Sequence, residues 1–269
     1  MVFVKNPNGK ANLLIFDNSY RVPQSARNLG KRMDSERDFA KFYDADLRAI
    51  CEHADGLLKL IELSAGYGNP VVCAIEETVK EIEKSNTVLG LKLEALPWPS
   101  DLREQSRLRS VSYYLSQMKH FGQKMSGANP VSLLNGRSHR YHGRFLQVAR
   151  DFYKEIVGEQ STLSFGEQLE TDNKIVAASC ALLYRENVNN IVVLTRDTKH
   201  IAKMIGMVVD RIFLGGEGKK YNLNSLPQKD FSISCHSGSI PELFNSGLAS
   251  SVALGTWTYT PSAAATTTA

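Results

Sequence analysis

No run of apolar residues in this 269-residue chain approaches the ~20 needed to cross a bilayer as a helix, so a membrane-spanning protein is not expected. The opening stretch, MVFVKNPNGK, lacks the long apolar core of a secretory signal. Cysteine is scarce: Cys51, Cys73, Cys180 and Cys235 stand far apart and form no C-x-x-C pair. Neither a thiolate zinc site nor a disulfide framework is expected from such spacing. Free thiols suit a reducing compartment, and the chain reads as intracellular, cytoplasmic or nuclear. The phosphate-loop pattern G-x-x-x-x-G-K-[ST] is also missing; GGEGKK at 215–220 reads as a turn. No internal repeat is visible. A content of 42% hydrophobic and 22% charged residues is that of an ordinary globular protein.

One scarcity is local. Between Arg103 and Arg150 a single acid, Glu104, faces nine Lys or Arg residues. The whole chain has 32 basic and 28 acidic residues, so outside this segment acids are in excess. A basic stripe on a slightly acidic body is the footprint of a protein that meets a polyanion locally. Tyr113, Tyr114, Phe121, Tyr141 and Phe145 interleave the charge. Cations neutralise phosphates while aromatics stack on unpaired bases, so the segment is expected to contact nucleic acid. Within it, NGRSHRYHGR (135–144) is the candidate contact loop, with Arg137, Arg140 and Arg144 as substrate-binding residues. His139 and His142 lack other nearby ligands and do not read as a metal pair.

The rest of the chain alternates strand-like and helix-like stretches. ANLLIFD (11–17) reads as a buried strand ending at an acid, and VVCAI (71–75) as a second. Residues 24–64 are helical in pattern, and EETVKEIEK (76–84) opens a helix with acids in its first turn. Helical spacing returns from about 168, followed by a strand at 190–195, a helix at 197–206 and a strand at 208–214. Such alternation predicts an α/β fold with a mainly parallel sheet. The final TPSAAATTTA is low in complexity and is expected to be disordered.

Four acids stand out against this frame. Asp17 ends the first strand and Asp197 follows the strand 190–195, and ligands of open parallel sheets bind at that edge. Asp172 lies three and four residues before Ile175 and Val176, which places it on the apolar stripe at the N-terminal end of its helix. Glu81 flanks the stripe formed by Ile75, Val79 and Ile82, and Glu77 shares that flank one turn earlier. Each acid alone reads equally well as a helix cap or a surface pair. Several carboxylates in one pocket repel one another unless a cation neutralises them, and oxygen-only ligands suit Mg²⁺ or Mn²⁺. Such an ion can activate water and clamp a phosphate for in-line attack.

LLIFDNS (13–19), TVKEI (78–82), DNKIVAA (172–178) and VVLTRD (192–197) together resemble, in order and context, the motifs of the PIN-domain nucleases. That resemblance implies a PIN-like three-layer α/β/α domain with a central, mainly parallel sheet. It makes Asp17, Glu81, Asp172 and Asp197 the metal-binding, catalytic acids, and Ser19 and Thr195 the hydroxyl partners beside them. It implies divalent-metal-dependent phosphodiester hydrolysis by an endoribonuclease, on single-stranded RNA, with Mg²⁺ or Mn²⁺ as cofactor. Residues 1–95 and 161–244 would be two parts of one domain, 96–160 a basic helical insertion, and 245–269 a disordered tail.

DNS in place of D-T-N or D-T-S departs from the family pattern, and the second and third acids are unusually far apart. Glu76, Glu77 or Glu170 could replace a chosen acid. The alternatives are a flap-type DNA nuclease, whose strand-threading arch the basic segment would form, and an inactive PIN-like module that binds RNA or protein. A protein partner or acidic inhibitor on the basic segment is a further possibility. A haloacid-dehalogenase-type phosphatase would require D-x-D, and here Ser19 stands at the second acidic position.

Overall fold

Successive residues of the first strand, β1 (Ala11–Phe16), point into two different cores. Leu13 and Ile15 are buried in one, Leu14 and Phe16 in the other. A strand covered on both faces must be apolar at every position, which is why LLIF reads as an unbroken hydrophobic run. The computed structural model describes residues 11–17, 44–67, 71–95, 99–127, 137–158, 167–237 and 252–261.

The sheet is open and mixed. β2 (Val71–Cys73), β3 (Val188–Leu194) and β4 (Phe231–Ser237) run parallel to β1. β5 (Val252–Tyr259) pairs antiparallel with β4, giving the order β2-β1-β3-β4-β5. One face is covered by α1 (Asp44–Tyr67), α2 (Glu76–Glu94) and α3 (Leu102–Gly127). The other is covered by α4 (Arg137–Val157), α5 (Glu167–Leu182), α6 (Ile201–Met207) and a π-helical turn, Val208–Leu214. The architecture is therefore three-layered α/β/α. Because β1 lies between β2 and β3, the chain reverses its direction of winding beside β1, and the C-terminal ends of β1 and β3 are where open sheets of this kind form their ligand crevice.

Several expectations need correction. Residues 208–214 are helical, not a strand. Buried Val208, Val209, Ile212 and Phe213 recur at helical spacing, and Arg211 on the open side pairs with Glu155 and Glu217. The sheet takes β4 instead. Its FSISCHS pattern hides its burial, because Ser234 and His236 are enclosed as well as the apolar residues. Their polar atoms are satisfied locally, with His236 Nε2 3.0 Å from Ser234 Oγ. The expected tail at 245–269 contains β5. Tyr259 stacks on Phe231 at 4.8 Å, and Trp257 lies over Gly206, where a Cβ would come within 2.9 Å of the indole.

The two helices of the basic segment join the two cores. α3 packs into one core through Val111, Tyr114, Met118 and Phe121, and α4 into the other through Tyr141, Phe145, Val148 and Phe152. Tyr114, Phe121, Tyr141 and Phe145 are thus core residues rather than stacking platforms. Tyr113 is exposed and donates to Asp55 Oδ1 at 2.6 Å. The candidate loop 135–144 is helical from Arg137 onward. Cys51, Cys180 and Cys235 are free thiols, the last two buried. Among the described residues no helix is long and apolar enough to cross a membrane.

Candidate metal centre

Asp17 is the first residue past β1, and its backbone N–H donates to Leu194 O at 3.0 Å, continuing the ladder with β3. Its carboxylate is buried, and Thr195 Oγ1, fully enclosed at the end of β3, donates to Asp17 Oδ2 at 2.8 Å. The same hydroxyl accepts from the Asp197 N–H at 2.9 Å. One threonine therefore fixes both strand-end acids at the mouth of the crevice.

Asp197 uses its two oxygens differently. Oδ1 accepts from the N–H groups of Lys199 and His200 at 2.9 and 2.8 Å, closing the turn that leads into α6. Oδ2 faces His200 Nδ1 at 3.0 Å. One oxygen thus closes the turn while the other is left to the histidine.

Asp172 lies on α5, which begins at Glu167, so the acid sits in the second turn rather than at the helix start as its apolar spacing had suggested. It is 8% exposed. Among the described residues no hydrogen-bond donor or cation reaches its carboxylate. Burial, and then the charges of Asp17, Asp197 and Glu81, push its pKa up from 3.8 to about 8. Those three charges are felt because all four acids converge on this end of the sheet. Glu81, from α2 on the opposite layer, accepts from Thr171 Oγ1 at 2.7 Å and so docks beside Asp172.

The alternative acids are committed elsewhere. Glu77 pairs with Lys174 at 2.5 Å; burial raises its pKa, but the lysine hydrogen bond and charge outweigh that and leave it lowered. Glu170 is held by two guanidinium nitrogens of Arg150. Glu76 pairs with Lys80 on the exposed flank of α2.

Two residues at the centre were not singled out from the sequence. One is His200, whose ring nitrogen lies with carboxylate oxygens of Asp172 and Asp197 in a group within 4.8 Å of one another. The other is Tyr153 of α4, whose ring centroid is 5.3 Å from that of His200. Burial, then Asp172 and Asp197, raise the Tyr153 pKa. His200 has a local signal, the D-x-x-H spacing of DTKH. Tyr153 has none, since only the packing of α4 brings it here.

Of the residues expected to bind substrate, Thr195 is at this centre and the arginines of α4 are not. Ser19 lies outside the described residues. α4 runs antiparallel to α5: Arg150 meets Glu170 near the start of α5, while Tyr141 stacks on Tyr184 at 4.0 Å just beyond its end. Arg140 is exposed at that far end, about 20 Å along the helix axis from Tyr153 at roughly 1.5 Å per residue. Arg137 opens the same end of the helix. Arg144 donates to Asn222 O and lies 5.5 Å over the Tyr141 ring, a structural engagement. Of the other cations in the segment, Arg103 and Arg107 pair with Asp44 of α1. Charge that is contiguous in sequence is thus divided between opposite layers and partly spent on internal pairs.

No protein-family model matches this chain, and no curated protein or solved structure matches it.

Proposed function

We propose that this chain is a divalent-metal-dependent nuclease of PIN-like fold, an endoribonuclease acting on single-stranded RNA. One observation carries the reading. Asp172 is a nine-tenths-buried carboxylate that faces three others and, among the described residues, has no donor or cation to compensate it. Burial and the neighbouring charges hold it protonated below about pH 8, and a bound cation would let the four carboxylates ionise together. The donor set fits: carboxylate oxygens from Asp17, Glu81, Asp172 and Asp197 suit Mg²⁺ or Mn²⁺. Of this set, Asp172 and Asp197 offer oxygens that lie, with a His200 ring nitrogen, within 4.8 Å of one another.

The chain's own residues hold this set ready. Thr195 and Thr171 orient Asp17 and Glu81, and two backbone N–H groups orient Asp197, so three of the four carboxylates are fixed before any ion arrives. Pre-organisation of this kind keeps the cost of assembly out of the reaction itself. A bound divalent ion supplies Lewis acidity to a water nucleophile and to the scissile phosphate. The sheet edge at the ends of β1 and β3 is where the phosphate would enter, above the two apolar cores. RNA is the substrate that the sequence resemblance implies.

The test is incubation of the chain with end-labelled single-stranded RNA and DNA, with Mn²⁺ and with chelator. Internal cleavage of RNA that requires the ion is the expected result. Binding without cleavage would favour an inactive PIN-like module, and preferential cutting of DNA at strand junctions a flap-type nuclease.

A further inference from the structure

We infer that His200 is a nitrogen ligand of this centre, making it a mixed oxygen–nitrogen site that holds Mn²⁺ more tightly than Mg²⁺. The inference rests on the proposed function only in placing an ion among these acids. His200 Nδ1 and Asp197 Oδ2 are 3.0 Å apart. Two adjacent ligands of an octahedral ion with bonds of about 2.1 Å are separated by about 3.0 Å, so the pair already has the spacing of one edge of the shell. The nearby Asp172 carboxylate completes a three-cornered group. Asp172 is buried, and among the described residues no donor or cation is recorded at its carboxylate.

The imidazole is held for this role. The His200 N–H is tied to Asp197 Oδ1 at 2.8 Å, which sets the backbone from which the ring projects. Tyr153 packs against the ring at a 44° tilt. The competing reading is a plain hydrogen bond in which Nδ1–H donates to Asp197 Oδ2. Ligation requires the other tautomer, with Nδ1 free of its proton and Nε2 carrying it. Mg²⁺ prefers oxygen and gives up its water reluctantly, whereas first-row transition ions accept imidazole readily. Loss of the ring should therefore affect Mn²⁺ far more than Mg²⁺.

The experiment is pulsed electron paramagnetic resonance of the intact chain with equimolar Mn²⁺, alongside calorimetric titration with Mn²⁺ and Mg²⁺. The expected spectrum carries a nitrogen hyperfine coupling that changes on isotopic labelling of histidine nitrogen and disappears in His200→Gln. That variant should bind Mn²⁺ at least about tenfold more weakly, with a smaller change for Mg²⁺. Mn²⁺ binding without nitrogen coupling, or a coupling that survives His200→Gln, overturns the ligand assignment and leaves the nuclease reading standing. No Mn²⁺ binding overturns both. A histidine-dependent coupling in a chain that cleaves neither RNA nor DNA supports the ligand and overturns the nuclease.

Discussion

The Thr195 hydroxyl donates to Asp17 Oδ2 at 2.8 Å, joining residues 178 positions apart across the ends of two neighbouring strands. It accepts from the Asp197 N–H at the same time. Thr195→Val keeps the shape but removes both bonds inside a fully buried site. We expect a loss of about 1–3 kcal/mol in urea unfolding, with weaker Mn²⁺ binding. Thr195→Ser should retain most of both, and an unchanged Thr195→Val would mean that the hydroxyl does not organise the acids.

Asp172 makes the metal-free chain sensitive to pH. Its pKa is about 8 in the folded state against an ordinary 3.8. Between those values the folded state keeps a proton that the unfolded state has released. Stability contributed by this group is therefore full below the lower value, falls as pH rises through the window, and is lost above about 8. The size is on the order of a few kcal/mol. Thermal melts with chelator should show the decline, Asp172→Asn should flatten it, and saturating Mn²⁺ should restore stability at the alkaline end. A parent and Asp172→Asn with parallel pH profiles would contradict this account.

Asp197→Asn and Asp197→Ala separate the two jobs of that carboxylate. The amide oxygen can still accept from Lys199 and His200 N–H groups, so Asp197→Asn should fold with near-parental stability and lose cleavage. Asp197→Ala should lose cleavage and also about 1 kcal/mol of stability, as for a removed cap. Asp17→Asn and Asp172→Asn are expected to abolish cleavage with the fold intact. Full activity in Asp197→Asn would remove it from the proposed centre.

Glutamates close in sequence should behave differently. Glu81→Gln is expected to weaken ion binding and cleavage. Glu77→Gln and Glu170→Gln should leave both near the parental level, since those acids already serve Lys174 and Arg150. Calorimetry with Mn²⁺ on the three variants decides; a larger effect at Glu77 would transfer the role.

Replacing Arg137, Arg140 and Arg144 together by Ala tests whether a long strand tracks α4. The far end of that helix is out of reach of an oligonucleotide just long enough to fill the crevice. Cleavage of such a short substrate is expected to be unchanged. Binding of a long single strand should lose salt dependence by about 0.7 logarithmic unit per phosphate contact removed. Equal effects on short and long substrates would place these arginines nearer the chemistry than the fold does.

Local sequence determined the elements whose burial is complete. LLIF of β1 and the IVVL of β3 read as strands because a sheet covered on both faces demands apolar residues at every position. The same logic put Asp17 and Asp197 at strand ends, where a chain leaving a parallel sheet meets the crevice. The sequence could not say which glutamate of α2 turns inward, because Glu77 and Glu81 share a helical flank and differ only in what α5 presents to them. Lys174 meets one and Thr171 the other. Nor could it separate a nucleic-acid surface from a core in the basic segment. An aromatic residue beside an arginine is written the same way in both, and only the docking of α3 and α4 on opposite faces buried the aromatics. β4 and β5 escaped notice for the converse reason. Ser234 and His236 of β4 are enclosed by strands distant in sequence, and β5 is an edge strand whose Thr256 and Thr258 stay exposed, so no local apolar run marks either. The meeting of His200, Tyr153 and Asp172 belongs to tertiary structure alone, because periodicity fixes which face of an element a residue occupies but not which other element comes to face it.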